Sequence, residues 1–196
     1  ARTFAYNQDG TLDTARNARN QTATHGYDAR GRLTGRTVPG EGTVTYTYDD
    51  AGRVTRVQQP DGSAVDMAYD ALDRLTQTVQ TMPGRASKTL TYDYDANGNR
   101  LHAVTPWGTF TYAYDALNRM TSVTDPEGRS FGFAYDAAGR RTRLVRSMGV
   151  VTEYGYDDAG QLLSIRHIRQ NDQVELSSAG YRYDAVNSDA ITVKRF

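Results

Sequence analysis

The sequence predicts an all-β chain of tandem antiparallel β-hairpins that add edge to edge into a continuous, curved or spiralling sheet. Three features point to it. A Tyr-Asp dipeptide recurs about every 21 residues through the 196 residues. Four positions after each of these tyrosines stands a residue that tolerates a left-handed backbone. No stretch carries the 3.6-residue apolar period of a helix, and self-similarity at a fixed period is the signature of a repeat architecture.

The dipeptide stands at Tyr27-Asp28, Tyr48-Asp49, Tyr69-Asp70, Tyr94-Asp95, Tyr114-Asp115, Tyr135-Asp136, Tyr156-Asp157 and Tyr183-Asp184, with a degenerate copy at Tyr6-Asn7. The spacings are 21, 21, 21, 25, 20, 21, 21 and 27 residues, and all 14 tyrosines lie within the motif. Nine are its first residue, and the other five (Tyr46, Tyr92, Tyr112, Tyr154, Tyr181) stand two residues earlier. In the remaining copies that slot holds Phe4, His25, Met67 or Phe133. A spacing of two puts both bulky residues on one face of a strand. Val44-Thr45-Tyr46-Thr47-Tyr48 shows the alternation, and all five residues are good strand formers.

The turn comes next. In Asp28-Ala29-Arg30-Gly31, Asp takes the first place of a type I turn and Gly the fourth. A left-handed Gly there closes a three-residue hairpin loop with a bulge. The corresponding residues along the chain are Gly10, Gly31, Gly52, Asp73, Gly98, Asn118, Gly139, Gly160 and Asn187. A second strand follows, as in Arg32 to Val38. It ends at Pro39-Gly40 and, in later copies, at Pro60-Asp61-Gly62, Pro83-Gly84, Pro106-Trp107-Gly108 and Pro126-Glu127-Gly128. Pro presets the second turn position and Gly completes a type II or type I turn.

The final periods drift. Ser147-Met148-Gly149 lacks the proline, and Ile165 to Leu176 is six residues longer than usual, with a turn expected at Asn171-Asp172. After Asn187, Ser188-Asp189 replaces the usual Arg-Leu, so an irregular or short last strand is expected. Thr11 to Thr24 is polar and poor in turn signals, and both ends are expected to be the least ordered parts. The chain reads as a single array of about nine repeats over residues 1–196, excised from something longer because it opens inside a repeat. Its outer strands would then be open edges that invite self-association.

Composition removes several classes of function. Lys+Arg and Asp+Glu are both 23, a balance unlike the basic excess of a nucleic-acid surface. Only Lys88 and Lys194 are lysines, and arginine suits fixed, planar pairing with carboxylates. There is no cysteine, hence no disulfide or thiolate site. No apolar run approaches the roughly 20 residues of a membrane-spanning helix, so no membrane insertion is expected. No signal segment opens the chain. His25, His102 and His167 are far apart, and neither a nucleophile elbow nor a phosphate-binding glycine loop occurs. No catalytic, metal or cofactor site is read from the residues, and the chain is not expected to be an enzyme.

Tyr27-Asp28-Ala29-Arg30-Gly31-Arg32-Leu33, Tyr48-Asp49-Asp50-Ala51-Gly52-Arg53-Val54 and Tyr114-Asp115-Ala116-Leu117-Asn118-Arg119-Met120 carry a family resemblance over residues 4 to 187. The chain resembles the YD repeat of Rhs (rearrangement hotspot) proteins, also found in Tc toxin C components, bacterial wall-associated proteins and teneurins. The resemblance implies a partial shell of stacked hairpins in a secreted or cell-surface bacterial protein. Its implied partners are the neighbouring repeats and an enclosed toxin domain. The Asp-Pro-x-Gly-Leu element and the aspartic-protease-like pair that cut such shells from their toxins are missing here.

Each motif residue has a plain structural reading beside a functional one. The motif aspartates are turn residues before they are metal ligands. Asp28 with Arg32, Asp49 with Arg53, Asp70 with Arg74, Asp115 with Arg119 and Asp136 with Arg140 flank the turns and are placed to form an ion-pair ladder. The tyrosines are expected to pack Tyr on Tyr between hairpins, against the alternative of a sugar-stacking ladder. Trp107, in its Pro-Trp-Gly turn, is the candidate surface residue for a glycan. The expected function is a structural repeat module of an encapsulating shell, and the alternative is a carbohydrate-binding or adhesive module.

Overall fold

The computed structural model describes residues 2–183 and the backbone of residues 191–195. The described residues contain no helix. The strands are β1 (Thr3–Tyr6), β2 (Leu12–Arg16), β3 (Thr22–Tyr27), β4 (Leu33–Val38), β5 (Gly42–Tyr48), β6 (Val54–Gln58), β7 (Ala64–Tyr69), β8 (Leu75–Thr81) and β9 (Lys88–Tyr94). They continue as β10 (Arg100–Thr105), β11 (Gly108–Tyr114), β12 (Met120–Thr124), β13 (Ser130–Tyr135), β14 (Arg141–Arg146), β15 (Val150–Tyr156), β16 (Leu162–Arg169), β17 (Glu175–Tyr183) and β18 (Ile191–Arg195). All belong to one antiparallel sheet. The chain divides between Tyr92 and Asp93, inside β9, into two units built from the same hairpins.

Every odd-numbered strand ends on the tyrosine of a Tyr-Asp or Tyr-Asn motif. The register slips at that tyrosine in hairpin after hairpin, between Gly26 and Tyr27, Thr47 and Tyr48, Ala68 and Tyr69, Ala113 and Tyr114, Ala134 and Tyr135, and Gly155 and Tyr156. This is the bulge that the turn sequence demands. The residue four past each tyrosine has positive φ from Gly10 to Gly160, including the non-glycines Asp73 (61°) and Asn118 (60°). Asn187 and the Ser188-Asp189 segment lie outside the described residues.

Alternation along the strands sorts the side chains. In β5, Val44, Tyr46 and Tyr48 are half-buried while Thr43, Thr45 and Thr47 are exposed. The upstream aromatic faces an aliphatic residue of the next strand: Tyr46 opposite Val57, Tyr112 opposite Val123, Phe133 opposite Leu144 and Tyr154 opposite Ile165. These are the cross-strand pairs that stabilise a sheet. Full burial is rare, limited among the apolar residues described to Ala23, Ala64, Ala103, Val151 and Ile168. Each hairpin therefore gains its stability from its sequence neighbours, as in other repeat proteins.

The turns at the opposite ends of the strands take both expected forms. At Pro39-Gly40 the Glu41 N–H donates to the Val38 carbonyl (3.0 Å) and Gly40 has φ of 81°, a type II turn. At Pro60-Asp61-Gly62 the Gly62 N–H donates to the Gln59 carbonyl (3.0 Å) and the Gln59 N–H to the Ser63 carbonyl (2.7 Å). In the long period, β16 and β17 are joined through residues 170–174, with a turn at 170–172 that includes the expected Asn171-Asp172.

One expectation needs correction. Thr11 to Thr24 is a regular hairpin, with β2 and β3 joined at Asn17 to Gln21. The Asn20 N–H donates to the Asn17 carbonyl (3.0 Å), the Asn17 N–H to the Gln21 carbonyl (2.9 Å), and Asn20 has φ of 67°. Asn17 takes the role of Asp and Asn20 that of Gly, so the turn has no Gly or Pro to announce it.

Candidate functional site: a clamp between successive repeats

The motif residues converge on one recurring arrangement. In Tyr48-Asp49-Asp50-Ala51-Gly52-Arg53, the Gly52 N–H donates to the Asp49 carbonyl and the Asp49 N–H to the Arg53 carbonyl, each at 3.0 Å. Asp49 Oδ1 accepts the Arg53 backbone N–H (2.9 Å), and Oδ2 accepts Arg53 Nε–H (2.7 Å). One carboxylate thus caps the turn and fixes the arginine leaving it.

That arginine reaches into the next repeat. Arg53 Nη1 donates to the Asp70 carbonyl (3.0 Å) and to Asp73 Oδ1 (2.7 Å), and its Cζ lies 4.9 Å from the centroid of the Tyr69 ring. Tyr69 reaches back, its hydroxyl donating to the Val54 carbonyl (2.9 Å). Arginine runs forward and tyrosine runs backward, so two consecutive hairpins are closed by contacts in both directions.

The same geometry recurs at three further junctions. Arg32 binds Asp28 at 2.7 Å, donates to the Asp49 carbonyl at 3.0 Å and covers Tyr48 at 4.6 Å, while the Tyr48 hydroxyl donates to the Leu33 carbonyl at 2.7 Å. Arg119 does so with Asp115, the Asp136 carbonyl and Tyr135, and Arg140 with Asp136, the Asp157 carbonyl and Tyr156. Arg74 binds Asp70 at 2.7 Å. All five sequence-paired Asp/Arg couples are ion pairs, and Arg32, Arg53, Arg119 and Arg140 each donate also to a backbone carbonyl one repeat on. Tyr48, Tyr69, Tyr135 and Tyr156 each meet both an arginine face and a backbone carbonyl.

The hydroxyl reaches a carbonyl 15 residues earlier from Tyr27, Tyr48, Tyr69, Tyr135 and Tyr156. From Tyr183 it reaches Leu162, 21 residues earlier. The difference of six equals the excess length of that period, so the loop lengthens while the clamp is kept.

Substitutions vary the clamp in recognisable ways. Asn99 replaces the arginine after Asp95, and its amide donates to Asp95 Oδ2 and Asn118 Oδ1, each at 2.8 Å. Arg100 and Arg141, standing where most copies have an aliphatic residue, lie over the rings of Tyr112 and Tyr154 at 4.8 Å. A further copy sits at the other type of turn: Asp125 caps Pro126-Glu127-Gly128 and binds Arg129 Nε at 2.6 Å. That copy was hidden because proline marked the stretch as an ordinary Pro-x-Gly turn.

The electrostatics follow the geometry. The Arg53 backbone N–H and guanidinium hold the Asp49 carboxyl below its ordinary range, against partial desolvation. The equivalent arginine N–H does the same for Asp28, Asp70 and Asp115. At Asp136 the Arg140 side chain is the larger cause, and at Asp95 the Asn99 amide. A carboxylate pinned in its ionised form by three donors is a structural anion, poorly suited to moving protons at neutral pH. Among the described residues no group of three His, Asp or Glu side chains stands together as a metal site. His102 Nδ1 lies 2.9 Å from Asp93, and His167 Nδ1 lies 2.9 Å from the Thr152 hydroxyl. Trp107 is 70% exposed at its turn.

The profile of the Teneurin YD-shell family matches residues 2–192, almost the whole chain. The chain belongs to the teneurin YD-shell family. Solved structures agree on the YD-shell fold. TcdB2-TccC3 without its hypervariable C-terminal region aligns with a TM-score of 0.80 at 16% identity, over 99% of this chain and 11% of that one. TcdB2-TccC3-Cdc42 aligns with a TM-score of 0.61 at 17% identity, over 99% of this chain and 12% of that one. The YD-shell segment therefore spans about a tenth of the length of the solved chains it resembles. No match to a curated protein sequence was found. As a YD-shell segment, the chain is a structural module of stacked hairpins.

Proposed function

We propose that this chain is a non-catalytic wall segment of the encapsulating β-shell of a secreted or cell-surface Rhs-type polymorphic toxin, enclosing a toxin domain in the full-length protein. The observation that carries this reading is the clamp: the motif's carboxylate, guanidinium and hydroxyl are consumed in joining one hairpin to the next. Repetition then serves continuity of the wall. Limited proteolysis of the full-length protein tests the enclosure. The domain that follows the repeats should resist protease inside the intact protein and be cut rapidly when expressed alone. Equal cleavage rates in the two settings would overturn it.

Trp107 supports a second, adhesive reading, because an exposed indole at a turn tip is a stacking surface for a sugar ring. Glycan-array binding abolished by Trp107→Ala would favour adhesion. A blank array would leave the wall segment alone.

A further inference from the structure

The first two repeats lack the aromatic–aliphatic pairs of β5–β6, β11–β12, β13–β14 and β15–β16, as does β7–β8 where Met67 faces Thr78, and in the first two the departure lies beside a groove. Where later hairpins oppose an aromatic to Val, Leu or Ile, Phe4 is opposed by Ala15 and His25 by Arg36. Ala15 is in turn directly opposite Ala23 on the next strand. Two adjacent alanines in the middle of a face that is otherwise filled by large side chains leave a hollow of about 250 Å³ across β1 to β4, bordered by Phe4 and Val38.

The polar lining is one-sided. Arg2 and Arg36 line the groove together with His25, Arg16 borders it from the strand position after Ala15, and no carboxylate lines it. Over the whole chain acidic and basic residues are equal in number, so this is a local excess of positive charge. Asn17 and Gln21 also line the groove and are tied to each other, Asn17 Nδ2 donating to Gln21 Oε1 at 2.8 Å. The His25 ring lies with Nδ1 3.2 Å from the Asp13 carbonyl, so Nδ1 is the donor in that contact. Arginine presents a planar fork of donors that matches a carboxylate, and the apolar floor matches a hydrocarbon body.

We propose that this groove is a binding site for a small organic carboxylate with an aromatic body, the ring lying over Ala15 and Ala23 and the carboxylate held by Arg36. Size sets the class. The hollow accommodates one ring with a short acidic arm and is smaller than the pockets that hold drug-sized ligands, about 300–1,000 Å³. The site uses neither the Asp-Arg-Tyr clamp nor Trp107, so it is independent of the wall function.

The test is an NMR titration of the 196-residue chain with phenylacetate, with acetate and benzyl alcohol as controls for charge without ring and ring without charge. Saturable amide shifts confined to β1 to β4 with phenylacetate, and clearly weaker responses to both controls, are expected. Arg36→Gln should weaken binding about tenfold, the worth of one charge-assisted hydrogen bond. Ala23→Leu, which fills the floor, should abolish binding. Arg36 is exposed, so its variant is read even if Ala23→Leu does not fold. Equal responses to phenylacetate and acetate, shifts scattered over the whole sheet, or unchanged affinity in Arg36→Gln would each overturn the proposal.

Discussion

Replacing Tyr48 by Phe removes one atom from the clamp and leaves the rest in place. The lost interaction is the 2.7 Å hydrogen bond from its hydroxyl to the Leu33 carbonyl, while the ring beneath Arg32 remains. A buried or half-buried hydrogen bond of this type has a net worth of about 0.5–1.5 kcal/mol. Tyr48 and Leu33 are both half-buried, so water partly replaces the donor and the middle of that range, about 1 kcal/mol, is expected. Tyr48→Leu also removes the ring from under Arg32, adding about 0.5–1 kcal/mol for the cation–ring contact before the lost packing is counted. For a chain of this length each kcal/mol corresponds to roughly 2–4 °C in Tm. Urea denaturation followed by circular dichroism gives the difference, and amide hydrogen exchange locates it. Exchange should accelerate in β4 and β5 and stay unchanged in β13 and β14, because openings in a repeat array are local. A Tyr48→Phe protein with unchanged midpoint and unchanged exchange would show that the hydroxyl only decorates the junction.

Three further outcomes follow from the geometry. Asp28, Asp49, Asp70, Asp115 and Asp136 have folded-state pKa values below their unfolded values, so the folded chain binds fewer protons than the unfolded chain. Their stabilisation is complete above about pH 4–5 and fades as pH falls through the lowered values; Tm measured from pH 6 to 2 should drop steeply at the acid end, and a flat profile would contradict the pinned carboxylates. Gly108→Ala would set a Cβ 2.6 Å from Pro126 Cβ at φ of 124°, whereas Gly139→Ala at φ of 80° meets nothing within 4 Å. The first should cost about 2–4 kcal/mol and the second about 1–2 kcal/mol in urea unfolding, and equal losses would refute the close approach of Gly108 to Pro126. Asp73 holds φ of 61° and accepts Arg53 at 2.7 Å, so Asp73→Gly relieves the backbone but loses the contact. Asp73→Ala loses both advantages and should be less stable than Asp73→Gly by about 1–2 kcal/mol, checked by the same denaturation.

The hairpins were legible because their requirements are local. Tyr at the strand end, Asp opening the turn and a left-handed residue four places on sit within five residues of one another, and each has its own physical signature. The turn at Asn17 to Asn20 escaped because Asn can replace both Asp and Gly without the composition signal of either. The clamp escaped for another reason. Its partners are 15 to 17 residues apart, on strands whose side-by-side placement depends on how one hairpin adds to the next. The Asp28/Arg32 half could be read from spacing, but the carbonyl of Asp49 carries no sequence signal, since every residue has one. Likewise, Arg100 and Arg141 look like departures from Leu until Tyr112 and Tyr154 are seen beneath them.

The motif couples one repeat to the next, and a double-mutant cycle measures this directly. Arg32→Gln and Tyr48→Leu, alone and together, should show a coupling of about 0.5–1 kcal/mol in urea unfolding. Arg32→Gln with Tyr135→Leu should be additive, because those residues belong to different junctions. Additivity in the first cycle, or equal coupling in both, would contradict the clamp.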